Sequence, residues 1–245
     1  GLFFYIFTRM QPGTLAVKRR IERELERESG YLMQDKETFR ELLAESPENA
    51  GLVNYMHDYG NYPIYKNSQV KYFPSGEEKF QALLEQLESA QEYIFMEYFI
   101  IEDGESFRQI REILARKARE GVDVRLMYDD IGSIGLVNWR YARKLNREGI
   151  RCQVFNPALP VLSLFMNHRD HRKITVIDGK VGYTGGYNLS DEYFGLRFPY
   201  GLWKDTGIRM EGEAVRNLTA TFLELWTLTS REAEDFEKFL EIRHH

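Results

Sequence analysis

The chain has 245 residues, of which 43% are hydrophobic and 14% aromatic, and its 33 basic and 38 acidic residues give a formal net charge of −5. This composition is typical of a globular protein with one large or two small domains, and it argues against a disordered or collagen-like chain. A single cysteine, Cys152, argues against an internal disulfide and a thiolate metal cluster. The acidic balance disfavours a dedicated nucleic-acid-binding protein, because such proteins usually carry net positive charge.

The two ends of the sequence raise the question of a longer chain. The opening apolar run, Leu2–Phe7, fits either the end of a longer apolar segment or a strand packed on the core. Charged helix formers follow over residues 15–28 and predict an exposed helix, either solvated or lying on a membrane surface. There is no window of about 18 apolar residues that would predict a membrane span. The closing pair His244-His245 resembles the remnant of a purification tag.

Helices alternate with short strands through the middle of the chain. Residues 30–66 lack a clear period, and Asn61–Pro63 predicts a break before the main domain. The predicted helices cover residues 80–90, 107–118 and 137–148, and the predicted strands cover residues 93–100, 122–128 and 150–154. This alternation predicts an α/β architecture with a substantially parallel sheet. We expect residues 1–60 to form a membrane-proximal helical segment, residues 61–230 the main domain, and residues 231–245 a C-terminal helix.

The later part of the chain predicts a β-hairpin. Lys173–Ile177 has the pattern of a strand, Asp178-Gly179 is typical of a hairpin turn, and residues 180–184 predict the returning strand. A further strand is predicted at residues 206–210, followed by a helix that begins at about residue 214.

Residues that suit an anionic substrate cluster around this hairpin. Side chains at i and i+2 share a face of a strand, so His171 and Lys173 project together while Arg172 points to the other face. A histidine beside a fixed ammonium, close to the glycine pair Gly185-Gly186, suits an oxyanion or a phosphate. Asn188 can add an amide donor to the same anion. A single strand histidine is more often structural, so the functional interpretation depends on the combined pattern.

The combined pattern is specific. His171, Lys173 and Asp178 match H-x-K-x(4)-D, and Gly185-Gly186 with Asn188 match G-G-x-N, which together form the signature of the phospholipase D superfamily. The wider sequence resembles the bacterial cardiolipin synthases over roughly residues 60–230, most clearly in segments 118–129, 167–180, 184–193 and 202–212.

This resemblance implies a phospholipase D-like α/β/α sandwich, with a mixed, largely parallel sheet covered by helices. It implies that two phosphatidylglycerols give cardiolipin and glycerol through a phosphohistidine on His171. Lys173 and Asn188 would hold the non-bridging oxygens, with Gly185-Gly186 and Arg172 completing the substrate site. No cofactor and no metal are implied. The implied partners are phosphatidylglycerol, other anionic phospholipids and the bacterial cell membrane, with the catalytic domain at the membrane surface.

Three further residues near the motif have two interpretations each. The resemblance implies that Asp205 orients the ring of His171, although a solvated acid at a strand edge is also consistent with its position. Asp178 stands at the first turn position, so we favour a structural role over proton transfer. His168 lies three residues before His171 and does not share its face, which disfavours a second base.

Charged and apolar neighbours of the motif are also ambiguous. Arg169 and Arg172 supply local positive charge for anionic head groups or are simple surface charges. Glu97 interrupts an apolar strand and is either a buried acid near the site or a satisfied core residue. Leu164–Met166 fits a hydrophobic entrance to the site or ordinary core packing.

The sequence carries one motif, whereas a full bacterial cardiolipin synthase carries two. We therefore expect the chain to be the first lobe of a longer enzyme, or to complete its site as a two-fold homodimer, and to be inactive without a second motif. An alternative is a homodimeric phospholipase D or nuclease of the same superfamily, which the net charge disfavours. A catalytically silent docking lobe is a further alternative, disfavoured by the intact motif.

Overall fold

A seven-stranded mixed sheet in the order β1-β7-β6-β5-β2-β3-β4 forms the centre of the computed structural model. The structure describes residues 32–60, 62–157, 169–199, 201–230 and 235–240. The strands are β1 Ser68–Phe73, β2 Tyr93–Tyr98, β3 Asp123–Asp129, β4 Arg151–Phe155, β5 Lys173–Ile177, β6 Val181–Gly185 and β7 Gly207–Gly212. The helices are α1 Lys36–Glu45, α2 Ala50–Gly60, α3 Gly76–Ser89, α4 Glu105–Arg119, α5 Tyr141–Arg147, α6 Val215–Ser230 and α7 Glu237–Leu240.

The predicted α/β sandwich with a mixed sheet is confirmed, but the sheet is less parallel than the sequence predicts. β3 pairs in parallel with β2 and with β4, while the four other pairings are antiparallel. Helical crossovers join the parallel strands, as the alternating pattern predicts. The hairpin between β5 and β6 and the return of β7 add antiparallel strands to the other half of the sheet.

Two apolar layers cover the faces of the sheet. Along β2 every residue is buried, and successive side chains point to opposite faces. Ile94 and Met96 pack with α3, α4 and α5 on one face, whereas Phe95 packs with α6 and α7 on the other. A strand buried on both faces has a continuous apolar sequence, which explains the run that predicted β2.

Several elements differ from the sequence predictions. Residues 30–66, which lack a clear period, contain α1 and α2, and β1 adds an edge strand. These elements bury few side chains: α1 has none, and β1 is mostly exposed, so neither shows an apolar period. The third predicted helix begins only at Tyr141. The helix predicted over residues 15–28 and the opening apolar run lie outside the described residues, and no described helix is long and apolar enough to cross a bilayer.

Candidate active site

The residues of the sequence motif meet at one edge of the sheet. Tyr98, the last residue of β2, pairs with Lys173, the first residue of β5, so His171 lies just beyond this edge. Ile174 pairs with Thr184 of β6, which brings the following glycine pair to the same edge. The fold therefore gathers the two halves of the motif as the spacing predicts.

The ring of His171 is exposed at this edge. It packs against the ring of Phe99, with 4.7 Å between the centroids and 51° between the planes. Phe99 directly follows β2, so the end of a buried strand fixes the surface on which the imidazole lies. Among the residues that the structure describes, no hydrogen bond engages either ring nitrogen of His171. The ring is therefore supported on one face and open to a ligand.

The ammonium of Lys173 lies beneath this histidine. Only 4% of Lys173 is exposed, and its Nζ donates a 2.6 Å hydrogen bond to the backbone carbonyl of His171. The same Nζ lies 5.3 Å from the centre of the Phe99 ring. Burial lowers the pKa of Lys173 to about 8, and the negative charges of Asp170 and Asp205 oppose this shift. A buried cation beside an exposed imidazole is suited to an anionic substrate.

Asn188 lies at the same edge with most of its amide already engaged. Its Oδ1 accepts a 3.0 Å hydrogen bond from the backbone N–H of Ile100, and its Nδ2 donates a 2.9 Å bond to the hydroxyl of Tyr193. A side-chain amide has two N–H donors, so one of them is left for a ligand. Through these two bonds Asn188 holds the segment after β2 in place.

Asp205 packs against the glycine pair. A Cβ atom on Gly186 would lie 1.8 Å from the Asp205 Oδ1, so only glycine leaves room for this carboxylate. Asp205 Oδ1 accepts a 2.8 Å hydrogen bond from the Thr206 N–H, and the Tyr187 hydroxyl donates a 2.5 Å bond to the Asp205 carbonyl. Within the described ranges no hydrogen bond joins Asp205 to His171, so its predicted orienting role stays a prediction.

The motif aspartate, Asp178, lies at the opposite end of β5 from His171. Its carboxylate accepts three backbone hydrogen bonds of 2.7–2.9 Å, from the N–H groups of Gln91, Glu92 and Tyr93. Asp178 itself adopts a left-handed backbone conformation with φ +52° in the hairpin turn. This geometry fixes the start of β2 against the hairpin and gives the residue a structural task.

Arg172 points to the sheet face opposite Lys173 and contacts two buried acids. Its Nε lies 2.6 Å from Glu97 Oε1 and 3.1 Å from Asp170 Oδ1. Glu97 is fully buried, and this burial raises its pKa well above the usual value, with Asp170 adding to the shift and Arg172 opposing it. Among the described residues, the second oxygen of Asp170, Oδ2, is buried and has no hydrogen-bond partner. Arg172 thus stabilises a buried acidic pair, and its predicted substrate contact stays a prediction.

Asp129, at the end of β3, organises the chain just before the motif. It is fully buried, and its Oδ2 accepts a 3.1 Å hydrogen bond from the Asp170 N–H. Its Oδ1 lies 3.1 Å from Arg169 Nη1. The predicted basic residue Arg169 is therefore engaged with a buried carboxylate next to the site.

An open cleft of about 460 Å³ lies at this edge. Its described lining residues are Phe155, Arg169, Asp170, His171, Arg172 and Leu225. A space of this size accommodates a small head group. The predicted second histidine, His168, and the predicted hydrophobic entrance, Leu164–Met166, lie outside the described residues.

Sequence analysis missed one buried cation near this edge. Lys79 of α3 is 1% exposed, and its Nζ lies 4.9 Å from the Tyr187 ring and 5.9 Å from the Tyr98 ring. Burial lowers the pKa of Lys79 to about 7, while Asp205 opposes the shift. The signal was present, because Lys79 shares a helical stripe with the buried residues Leu83 and Leu87.

Comparisons with known proteins identify the family. The family model for the PLD-like domain of cardiolipin synthase matches residues 83–226. A cardiolipin synthase of Geobacillus kaustophilus is 41% identical over 187 residues, which cover 76% of this chain and 37% of that relative. A cardiolipin synthase of Geobacillus thermodenitrificans is 37% identical over 229 residues, covering 92% of this chain and 45% of the relative. A Streptococcus mutans protein is 39% identical over all 245 residues, 53% of its own length.

Solved structures agree on the fold. NucT from Helicobacter pylori has a TM-score of 0.51 at 14% identity, covering 66% of this chain and 98% of that one. The phospholipase D family member Nuc from Salmonella typhimurium has a TM-score of 0.50 at 18% identity, covering 66% and 95%. The chain spans about half or less of the length of the curated relatives it matches. With its family model, its relatives and its fold in agreement, the chain belongs to the PLD-like domain family of cardiolipin synthases.

Proposed function

We propose that this chain is the first catalytic lobe of a cardiolipin synthase, which joins two phosphatidylglycerols and releases glycerol. The observation that carries the proposal is the exposed His171 ring, which packs on Phe99 beside the buried ammonium of Lys173. An imidazole with both nitrogens available and a cation beside it is suited to attack on a phosphodiester. Cardiolipin synthases at 37% and 41% identity support this choice of substrate.

In the first step, a ring nitrogen of His171 attacks the phosphorus of one phosphatidylglycerol. A P–N bond forms, and the P–O bond to the glycerol head group breaks. The departing oxygen takes a proton from a general acid, which we assign to a histidine outside this chain, and glycerol leaves. The phosphatidyl group stays on His171 as a phosphohistidine.

In the second step, a head-group hydroxyl of another phosphatidylglycerol attacks the phosphohistidine. The hydroxyl proton passes to the histidine outside this chain, which is now neutral and acts as the base. A new P–O bond forms, the P–N bond breaks, and His171 is regenerated as cardiolipin leaves. Water in place of the second lipid would give hydrolysis instead of transfer.

Lys173 and Asn188 bind the non-bridging oxygens in both steps. One of the three N–H donors of the Lys173 ammonium is bonded to the His171 carbonyl, which leaves two donors for phosphate. Asn188 has one free amide N–H. We assign to Asp205 the task of accepting a hydrogen bond from the ring N–H of His171 with its Oδ2, since Oδ1 accepts from the Thr206 N–H.

A second motif must supply the outside histidine. The sequence carries one H-x-K pattern with a G-G-x-N pattern, while the relatives it matches extend well beyond the matched region. A second lobe of the same polypeptide is therefore our preferred source. A second copy of this lobe, related by two-fold symmetry, would supply the same histidine.

A membrane location follows from the proposed substrate. Phosphatidylglycerol is an anionic lipid held in a bilayer, so the edge of the sheet that carries His171 must reach the head-group region. We therefore place the lobe at the surface of the bacterial cell membrane.

The experiment uses the complete protein that contains this chain, with phosphatidylglycerol labelled in its phosphate. After acid-free quenching, the proposal expects label on His171 and labelled cardiolipin among the products. His171→Ala should abolish both. The control is His57→Ala, which removes an exposed histidine of α2 paired with Asp58, and it should leave both unchanged. Cardiolipin formation by His171→Ala at the normal rate would overturn the proposal.

A further inference from the structure

The end of the connection between β3 and α5, together with α5 itself, carries more positive than negative charge. Residues 131–147 contain four basic and no acidic side chains, although the chain has a net charge of −5. All four are exposed; Lys144 lies 3.5 Å from Asp103, and the other three are Arg140, Arg143 and Arg147. Among the described residues, none of these three guanidinium groups forms an ion pair. The segment is therefore a local cationic surface on an acidic protein.

Large apolar side chains lie within the same surface. Trp139 is 70% exposed and Ile134 is 62% exposed. Two guanidinium groups lie over the indole, with Arg140 at 4.5 Å and Arg143 at 5.4 Å from the ring. We call Ile134, Trp139, Arg140 and Arg143 the β3–α5 patch. Arg147 is the last residue of α5 and lies towards the opposite edge of the sheet, where Gly149 meets Ala118. Its mixture of exposed tryptophan, isoleucine and arginine is typical of segments that lie in a membrane interface.

The patch is anchored directly to the candidate active site. The Asp129 Oδ1 accepts hydrogen bonds of 2.9 Å and 3.2 Å from the N–H groups of Ile131 and Gly132, where the connection begins. The same carboxylate contacts Arg169 and the Asp170 N–H, just before the motif histidine. One buried side chain thus ties the patch and the catalytic strand to the same edge of the sheet.

A second loop at this edge exposes apolar groups as well. Between β6 and β7, Leu196 is 47% exposed, Phe198 is 56% exposed and Leu202 is 82% exposed. Single exposed apolar residues are common, but two separate loops at one edge form an extended apolar rim. This rim borders the site where a lipid head group would enter.

We propose that the β3–α5 patch docks the lobe onto an anionic phospholipid bilayer, with its guanidinium groups on lipid phosphates and Trp139 in the interface. The inference depends on the proposed function in taking a lipid as the substrate, and it adds the surface that meets the bilayer. A bilayer fits better than a nucleic acid, because Ile134 and the apolar rim gain burial from acyl chains but little from a phosphodiester backbone. Docking at this edge would present head groups to His171.

The test measures partitioning of the 245-residue chain onto vesicles by sedimentation. Vesicles of phosphatidylcholine with about one third phosphatidylglycerol are compared with phosphatidylcholine alone. Replacing Arg140 and Arg143 together by Gln should weaken binding to the anionic vesicles about 30-fold. Trp139→Ala should weaken binding about 10-fold.

The matched control removes the same charge from the opposite edge. Lys180 and Lys238 are exposed there, and their joint replacement by Gln should change vesicle binding less than about threefold. Equal losses in both double variants would overturn the proposal. Unchanged vesicle binding of the Arg140 and Arg143 variant, together with a loss of oligonucleotide binding or of a dimer, would also overturn it. Turnover of a soluble short-chain phosphatidylglycerol by the complete protein should be unaffected by the Arg140 and Arg143 replacements, so failure of docking is separable from failure of the proposed function.

Discussion

The Nζ atom of Lys173 donates a 2.6 Å hydrogen bond to the backbone carbonyl of His171, two residues earlier in the chain. This bond fixes the position of the ammonium next to the segment that carries the imidazole. Without it, the flexible lysine side chain would not hold the ammonium in one place. The packing of both groups on Phe99 adds to this constraint. The cation and the ring are therefore arranged before any substrate arrives, which reduces the reorganisation needed in the transition state.

We predict that the charge of Lys173 sets the alkaline limit of activity. Burial lowers the pKa of this side chain to about 8, and only the charged form attracts phosphate oxygens strongly. The kcat/KM of the complete protein should therefore fall as the pH rises through about 8, because Lys173 loses its charge there. The measurement is a profile of kcat/KM between about pH 6 and about pH 10.

Two variants separate this effect from other titrations. Lys173→Met should lower kcat/KM at neutral pH by about 100-fold, since one charged donor is lost. Lys173→Arg keeps the charge at alkaline pH and should remove the decline near pH 8, although its shape differs from that of lysine. A decline at the same pH in Lys173→Arg would contradict the assignment.

We predict that Glu97 makes the fold less stable as the pH rises. Burial raises its pKa well above the usual 4.5, so the folded state holds this proton more tightly than the unfolded state. Between about 4.5 and the folded pKa, this group removes up to about 1.4 kcal/mol of stability per pH unit. Glu97→Gln is neutral at every pH and should lack this component.

Urea unfolding at several pH values tests the prediction. The free energy of unfolding of Glu97→Gln, relative to the unmodified chain, should increase from about pH 5 to about pH 8. Glu112→Gln, an exposed change on α4, should give a difference that does not vary in this way. A pH-independent difference for Glu97→Gln would show that the carboxyl is charged in the fold throughout.

The sequence predicts elements whose apolar period reflects burial. β2 is buried at all six positions, and α4 buries Phe107, Ile110, Ile113 and Leu114, so both are evident from the pattern. α1 and β1 are not evident, since α1 buries no side chain and β1 is an exposed edge strand held by backbone pairing with β7. Backbone pairing leaves little trace in an apolar pattern. For the same reason the sequence predicts a more parallel sheet than the structure contains.

The candidate site is predictable where it depends on residue identity and not where it depends on long-range packing. The alternation of a strand predicts that His171 and Lys173 project together, and the resemblance supplies Asn188. The bond of Asn188 to Ile100 joins segments that only the fold brings together, whereas its partner Tyr193 lies five residues later in the chain. A local sequence pattern does not identify Ile100 as a partner of Asn188, because the two residues are 88 positions apart in the chain.

We predict that Asp178 contributes to stability and not to chemistry. Its carboxylate accepts three backbone N–H groups at the end of β5 away from His171. Asp178→Ala leaves these donors without their partner and should lower the free energy of unfolding by about 3 kcal/mol, and Asp178→Asn by about half of this. Below the unfolding transition, kcat of either variant should stay within about threefold of normal. A loss of kcat near 100-fold with intact stability would instead indicate proton transfer by Asp178.

We predict that Gly186→Ala acts by displacing Asp205. The new Cβ would lie 1.8 Å from the Asp205 Oδ1, and the atoms it meets belong to a partly exposed side chain that can turn away. Stability should therefore change by less than about 1 kcal/mol, while kcat falls about as far as in Asp205→Ala. The double variant should be no slower than Asp205→Ala alone, because the displaced group is already absent. Gly51→Ala, where a Cβ meets no atom within 4 Å, is the control for both readouts. Additive losses in the double variant would mean that Gly186 acts on the site independently of Asp205.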